Sequence, residues 1–335
     1  MNPDSRIALT LDLEADGRQV GDAMLRWSDN GNPLGYYPIP VVSIKGGNGP
    51  VLLLVGGTHG DEFEGPSAIM RILNAVEPSD LTGQIIAFPA LNMPAFDISA
   101  RVSPLDGQNL NRAFPGDRDG GPTAMIAHFL ETMILPRCDA ALDLHSGGKA
   151  SFFQPCTLPT KTADPELADR NMELAHLFGL PLVWRLGAHN DNRSVNAAAD
   201  RVKVPMIATE LGGGGGVDPG ITDQAEAGIW NILRHLGMVD GAVHPAPKPR
   251  VVEIRDPSAS LYTTSEGLFD RALSAGQNVT AGDFAGWFHH VTEPERPSTR
   301  LTVPQDGMIL AHTNRGLVTR GEMLLLVVQD VDQAL

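Results

Sequence analysis

Cysteine is almost missing from this chain. Cys138 and Cys156 are the two in 335 residues, too few for a disulfide framework, so both are expected as reduced thiols. No apolar run approaches the roughly 20 residues that would span a bilayer. The N-terminus lacks a basic start followed by an apolar run, so no signal peptide is expected, and cytoplasmic residence follows by default. Basic residues are scarce: 25 Lys and Arg face 40 Asp and Glu, a formal net charge of −15. That balance argues against a nucleic-acid or anionic-membrane partner. Low-complexity sequence is confined to Gly212–Gly216, and no repeat occurs.

What is present is an ordinary apolar fraction on a chain long enough for one large domain and a small one. Residues 6 to 45 read as short strands, with alternation over Ile7–Leu13 and an extended run over Ile39–Ile44. Val51–Val55 is continuously apolar and ends in Gly56-Gly57, as a strand buried on both faces would. Further buried strands are expected at 85–91, 140–144, 182–186 and 205–211. Helices are expected after Pro66 and near 122–135, 165–178 and 222–236. This alternation predicts an α/β layer structure with a parallel or mixed sheet, whose ligands collect beyond the carboxyl ends of its strands. The proline-rich stretch 242–249 reads as a linker. Residues 250–335 read as a small all-β domain of hammerhead type, similar in shape to biotinyl and lipoyl carriers. Its turns carry no lysine, since the last in the chain is Lys248. Its expected use is a cover for the active site or a contact between copies in a homo-oligomer.

The strongest chemical signal is Gly56-Gly57-Thr58-His59-Gly60-Asp61-Glu62, between a strand end and a helix start. An imidazole and a carboxylate three positions apart on such a turn can converge on one metal ion. Catalytic zinc takes three protein ligands, often two His and one Glu. Leu142-Asp143-Leu144-His145-Ser146-Gly147 offers the second His at another strand end. A lone His-x-x-Glu occurs often by chance; the second motif is what gives it weight. Asp61 is an alternative ligand, made awkward by its adjacency to Glu62. Residues two apart in a strand share a face, so Asp143 is expected to accept a hydrogen bond from a ligand imidazole, with His59 the expected ring.

Thr209-Glu210-Leu211-Gly212 puts a third carboxylate at a strand end. Apolar surroundings would raise the pKa of Glu210 and suit it to shuttle a proton; the bland alternative is an exposed strand-end glutamate. Arg112, in Asn109-Leu110-Asn111-Arg112-Ala113-Phe114, offers a fork that matches a carboxylate. Asn111 adds a donor, and Arg101 is placed to stabilise an oxyanion. Surface salt bridging is the alternative for both arginines. His128, His176 and His235 fall in amphipathic helices as packing or surface residues. His289-His290 lies beside Trp287 in the β module and is a weaker candidate for a second metal.

Taken together, Gly57-Thr58-His59-Gly60-Asp61-Glu62, Asn111-Arg112-Ala113-Phe114, Asp143-Leu144-His145 and Thr209-Glu210-Leu211-Gly212 resemble the succinylglutamate desuccinylase/aspartoacylase family over about residues 45 to 240. The resemblance implies the fold class α/β, a zinc-carboxypeptidase-like mixed sheet flanked by helices. Segments 1–45, 46–241 and 250–335 become an N-terminal β segment, a zinc hydrolase catalytic domain and a C-terminal β domain. It implies one zinc per chain on His59, Glu62 and His145, with Glu210 as base and Arg101 polarising the scissile carbonyl. Asn111 and Arg112 would hold the carboxylate of a small-molecule N-acyl amino acid.

Ala15–Gly21, Phe63-Glu64-Gly65-Pro66 after the His-Glu motif, and the glycines after Glu210 resemble the branch that deacetylates N-α-acetyl-L-2,4-diaminobutyrate in ectoine breakdown. One departure stands out: members often carry Asp two positions before the Asn-Arg pair, where this chain has Asn109. Tyr262 is a weak candidate for the tyrosine with which some relatives touch substrate. The alternatives are a dicarboxylic substrate, such as N-succinylglutamate or N-acetylaspartate, and a non-catalytic binding protein. The first should want a second basic side chain near the pocket, from among Arg185, Arg193 and Arg201. The second should lack a ligand or the base. Carboxypeptidase activity ranks below these.

Overall fold

The computed structural model of the chain describes residues 4–31, 33–186, 191–244, 247–256, 258 and 260–331. The catalytic part is a wide sheet built from β1 (Ala8–Leu9), β2 (Gly17–Arg26), β3 (Tyr36–Lys45), β4 (Val51–Gly56), β5 (Gln84–Phe88), β6 (Ala140–His145), β7 (Ser151–Phe153), β8 (Cys156–Pro159), β9 (Leu182–Arg185), β10 (Met206–Glu210) and β11 (Arg250–Glu253). The helices are α1 (Glu64–Ala75), α2 (Met93–Asp97), α3 (Pro122–Phe129), α4 (Pro165–Phe178), α5 (Val195–Val202) and α6 (Pro219–His235). At its centre β5, β4, β6 and β10 run parallel. Antiparallel neighbours, β3 on β5 and β8 on β10, flank them and make the sheet mixed.

β4 is apolar at every position, and β5, β6 and β10 are largely so, because both faces are covered. Leu52 and Leu54 pack on one side with Ile72 of α1, Phe178 of α4 and Ile229 of α6. Leu53 and Val55 pack on the other with Ile126 of α3 and Ala198 of α5. The same two-residue period in β6 puts Ala141 on the α3/α5 side, and Asp143 and His145 follow it there. β6 ends on His145 and β10 on Glu210, while β4 runs into the turn that carries His59 and Glu62.

Helix α1 holds its neighbour strand closely. A Cβ on Gly65 would lie 2.4 Å from the Leu144 carbonyl oxygen, in the backbone of β6 beside His145. Alanine is the better helix former by about 1 kcal/mol. However, a backbone atom cannot step aside, and overpacking costs about 1–3 kcal/mol. Gly65→Ala is therefore expected to lower the urea midpoint, and an unchanged midpoint would show that α1 rides free of β6.

Residues 261–330 supply β12 (Leu261–Tyr262), β13 (Gly267–Arg271), β14 (Asn278–Val279), β15 (Phe284–His289), β16 (Thr299–Thr302), β17 (Gly307–Thr313), β18 (Leu317–Val318) and β19 (Met323–Asp330). The order β16-β15-β13-β18 forms a separate four-stranded sheet. The expected linker has neither helix nor strand over its described residues; Pro245 and Ala246 lie outside them. Strands on its two sides share one sheet, since β11 pairs parallel with β9 and antiparallel with β19. This continuity extends the sheet beyond β9 into the β module.

Several elements escaped the sequence reading. β2 is ten residues long and pairs with β3 throughout, but its alternation is diluted by Gly17, Gly21 and charged positions. The expected strand over Ile7–Leu13 shrinks to two residues. Short α2, α5, β7 and β8 carry too few turns or alternations to signal themselves. Among the described residues no helix is long and apolar enough to cross a membrane.

Candidate metal centre and active site

Three strand ends stand abreast. In register, Gly56 of β4 pairs with Leu144 of β6, and His145 of β6 with Glu210 of β10. After β4 the chain turns through Gly57, whose φ of +61° suits glycine. A Cβ on Gly60 would fall 2.0 Å from the Ala95 carbonyl carbon. This tight turn carries His59 and Glu62 over the end of β6. His59, Glu62 and His145 are all buried, and each offers a ligand atom within 4.8 Å of the others. The sequence expectation that these side chains meet is realised, across 83 positions of chain between Glu62 and His145.

Their second contacts define which atoms face inward. The Glu62 carboxylate Oε2 is 2.8 Å from His145 Nδ1 and accepts from the Ser146 N–H at 3.1 Å. His145 Nε2 lies 2.7 Å from Asp143 Oδ2, and the Thr58 hydroxyl donates to Asp143 Oδ1 at 2.8 Å. Asp143 thus orients His145, not His59 as the strand argument expected. The same-face rule that put the two side chains together also puts them in direct reach. The His59 partner is a backbone group: its Nδ1 is 3.3 Å from the Arg101 carbonyl oxygen. With these partners His59 keeps Nε2, and His145 keeps Nδ1, for a cation.

Electrostatics sort the two imidazoles. Burial, with Arg101 and His145 nearby, holds His59 well below its usual pKa and leaves it neutral. Burial also works against a charge on His145, but Asp143 and Glu62 overcome it and hold that ring well above its usual pKa. Two neutral-or-neutralisable imidazoles and a carboxylate are the donor set that zinc favours. A cation arriving at neutral pH must displace the His145 proton, so affinity is expected to rise with pH through the neutral range. Calorimetry in buffers of different ionisation enthalpy would detect the released proton; buffer-independent heats would contradict it.

Glu210 ends β10, partly accessible as a residue but with an enclosed carboxyl whose Oε2 finds no partner. Burial first, then the Glu62 charge, push its pKa up to about 8. A bound divalent cation would draw it down again, into the range of a proton shuttle. Arg101 reaches in with Nη1 3.3 Å from Glu62 Oε1, its side chain half exposed. Asn111 faces His145, Nδ2 to Nε2 3.3 Å, while its Oδ1 accepts from Val195 N at 3.0 Å. Arg112 pairs with Asp191.

His59, Glu62, His145, Glu210, Arg101, Asn111 and Arg112 line one cleft of about 320 Å³, with Asp143 behind it. Its other walls are Leu158 and Trp184 from the sheet, Asp191, Ser194 and Asn196 from the start of α5, and Ile254, Tyr262 and Leu326 from the C-terminal part. Tyr262 thus stands at the cleft. Arg185, Arg193 and Arg201 are not among the lining residues: Arg193 is held by Asp191 and Arg201 by Glu131. Asp61 turns away from the ligand group and accepts from Lys149 N at 2.9 Å. His128, His176 and His235 lie in α3, α4 and α6 as expected. His289 meets Ser298 Oγ at 2.7 Å and His290 meets Thr299 Oγ1 at 3.2 Å. A larger groove of about 670 Å³ over Met24, Trp27 and Leu34 holds no carboxylate or imidazole, so volume alone does not mark the site.

Sequence reasoning missed Asp191, Trp184, Ser194 and Thr58 as parts of this region. Asp-Asn-Arg-Ser before α5 has the look of a helix-capping turn, and Ser194 does cap it, which hid its second use.

Comparison with known proteins agrees with this geometry. The family model described as succinylglutamate desuccinylase/aspartoacylase catalytic domain matches residues 48–236. The N-alpha-acetyl-L-2,4-diaminobutyric acid deacetylase of Halomonas elongata is 34% identical over 330 residues, 98% of this chain and 96% of that protein. The solved succinylglutamate desuccinylase/aspartoacylase from Rhodobacter sphaeroides is 35% identical with a TM-score of 0.92, covering 98% of this chain and 100% of that one. A product-bound ectoine utilization protein EutE (DoeB) from Ruegeria pomeroyi is 30% identical with a TM-score of 0.92, covering 96% and 98%. The four motifs, the mixed sheet that aligns them and these matches place the chain in the succinylglutamate desuccinylase/aspartoacylase family.

Proposed function

We propose that the chain is a zinc-dependent deacylase that hydrolyses the amide of an N-acyl amino acid, with N-α-acetyl-L-2,4-diaminobutyrate as preferred substrate. The observation that carries this reading is the convergence of His59, Glu62 and His145 one strand away from the enclosed Glu210 carboxyl. The name of the Halomonas relative supports the choice of substrate.

The donor set fits zinc, which would rest on His59, Glu62 and His145. When bound there it supplies Lewis acidity, polarising a carbonyl and acidifying water. Arg101 turns its guanidinium toward the scissile carbonyl oxygen and stabilises the charge that develops there. Glu210 takes one proton from the attacking water and hands it to the amine nitrogen as the C–N bond breaks. Water's oxygen stays on the acyl carbon, so the products are a carboxylate and a free amine. Arg112 and Asn111 receive the α-carboxylate, Asn111 through its Nδ2 while its Oδ1 accepts from Val195 N at the start of α5. Asp143 fixes the ring of His145. The segment after 250 closes the cleft through Ile254, Tyr262 and Leu326, which suits a cover.

A dicarboxylic substrate is the second reading, and the cleft lining weighs against it, because Arg185, Arg193 and Arg201 all lie outside that lining. Side-by-side turnover of N-α-acetyl-L-2,4-diaminobutyrate, N-acetylaspartate and N-succinylglutamate by the zinc-loaded protein decides. The first should lead in kcat/KM by at least about tenfold, the scale of one unfavourable charge contact. A lead by either dicarboxylate would overturn the substrate, and turnover of none would overturn the deacylase reading.

A further inference from the structure

We propose that Asp191 is a positioning residue: it holds Arg112 in the geometry that receives the substrate carboxylate. This rests on the deacylase reading, in which Arg112 makes that contact.

Arg112 sits on a short turn, Leu110–Arg112, whose cap is Asn109: its side chain accepts from Asn111 N at 2.9 Å. An amide caps the turn but brings no charge to the guanidinium. The charge comes from a different part of the chain. Asp191 Oδ2 lies 3.1 Å from Arg112 Nε, and both residues line the cleft. Arg112 Nη1 donates to the Asn111 carbonyl at 2.6 Å, so the guanidinium is fixed from two sides.

The Asp191 carboxylate is itself fixed. Its Oδ1 accepts from Arg193 N at 2.8 Å and Arg193 Nε at 3.0 Å, and its Oδ2 from Arg193 Nη2 at 2.9 Å. Two backbone contacts tie the turns together: Val195 N to Asn111 Oδ1 at 3.0 Å and Phe114 N to the Arg193 carbonyl at 3.1 Å. Partial burial disfavours the Arg112 charge, and Asp191 opposes that. A cation held in place before substrate arrives loses less freedom on binding.

The rival role for Asp191 is purely local, closing the turn into α5 through Arg193. Two variants separate them. Asp191→Asn keeps an oxygen for the turn and removes the charge that faces Arg112. Arg193→Gln removes the outer partner and leaves that charge.

The test is calorimetric titration of L-2,4-diaminobutyrate, the amine-side product, into zinc-loaded wild type and both variants. It needs no turnover, so the two failures are distinguishable: wild type that does not bind the product fails the deacylase reading, and equal binding by wild type and Asp191→Asn fails the role of Asp191. Asp191→Asn should weaken binding by about tenfold, the scale of one charge-assisted contact, and Arg193→Gln, which loosens the carboxylate but keeps its charge, by clearly less. In turnover, Asp191→Asn should raise KM for acylated amino acids with kcat nearly unchanged. It should leave KM alone for the corresponding N-acetyl amine, which lacks the carboxylate. Unchanged affinity in Asp191→Asn, or an equal loss in Arg193→Gln, would overturn the proposal.

Discussion

Glu210→Gln should keep its metal and lose about a hundred- to ten-thousand-fold in kcat, the usual contribution of a positioned proton shuttle. The amide has nearly the volume of the carboxyl and can neither take a proton from water nor return one to the amine. Binding should suffer little, because Glu210 lies beside the ligand group rather than in it. Stability should not fall either. In the metal-free protein a carboxyl raised to about 8 favours folding below the unfolded carboxylate range. That contribution is lost as pH rises through about 8. A side chain that never ionises escapes the loss, so Glu210→Gln at alkaline pH should unfold no more readily than wild type. Steady-state kinetics with metal content measured on the same sample checks this. A variant with near-native kcat would remove Glu210 from the chemistry and move the base elsewhere.

His145→Ala should have the other large effect, losing metal and activity together. The ring is at once a ligand, the partner of Glu62 through Nδ1, and the partner of Asp143 through Nε2. Its removal takes from the buried Asp143 carboxylate its ring partner and leaves Glu62 with Arg101 and the Ser146 N–H. Three ligands reduced to two cannot hold zinc in a closed tetrahedral set with one exchangeable corner. Stranding the buried Asp143 carboxylate adds a stability cost of about 3 kcal/mol or more, as when one partner of a buried ion pair is deleted.

How much of this was legible in the residues follows from how local each signal is. The buried central strands announced themselves as apolar runs, because a strand covered on both faces has few polar positions to confuse the pattern. The His59-x-x-Glu62, His145 and Glu210 motifs were legible because each follows the end of such a run, where a His or Glu has no structural business. Asp143 was correctly placed on one face with His145, but its partner was misassigned. Strand periodicity tells which side chains share a side, not which of two rings a carboxylate meets. Asp191 was illegible because its role depends on a contact 79 positions away with Arg112, while its local pattern is satisfied by the turn it closes with Arg193 N. The sheet shared across the proline-rich stretch was hidden for the same reason. Pairing of β11 with β9 and β19 is a long-range choice of edges, and composition marks only the interruption between them.

The measurement to make is elemental analysis of zinc per chain in wild type, His145→Ala and Glu210→Gln, each paired with its deacylation rate. One zinc per chain in wild type and in Glu210→Gln, little in His145→Ala, and turnover in wild type alone is the expected result. Full deacylation by chelated wild type, or an undiminished zinc content in His145→Ala, would contradict a shared cation on His59, Glu62 and His145.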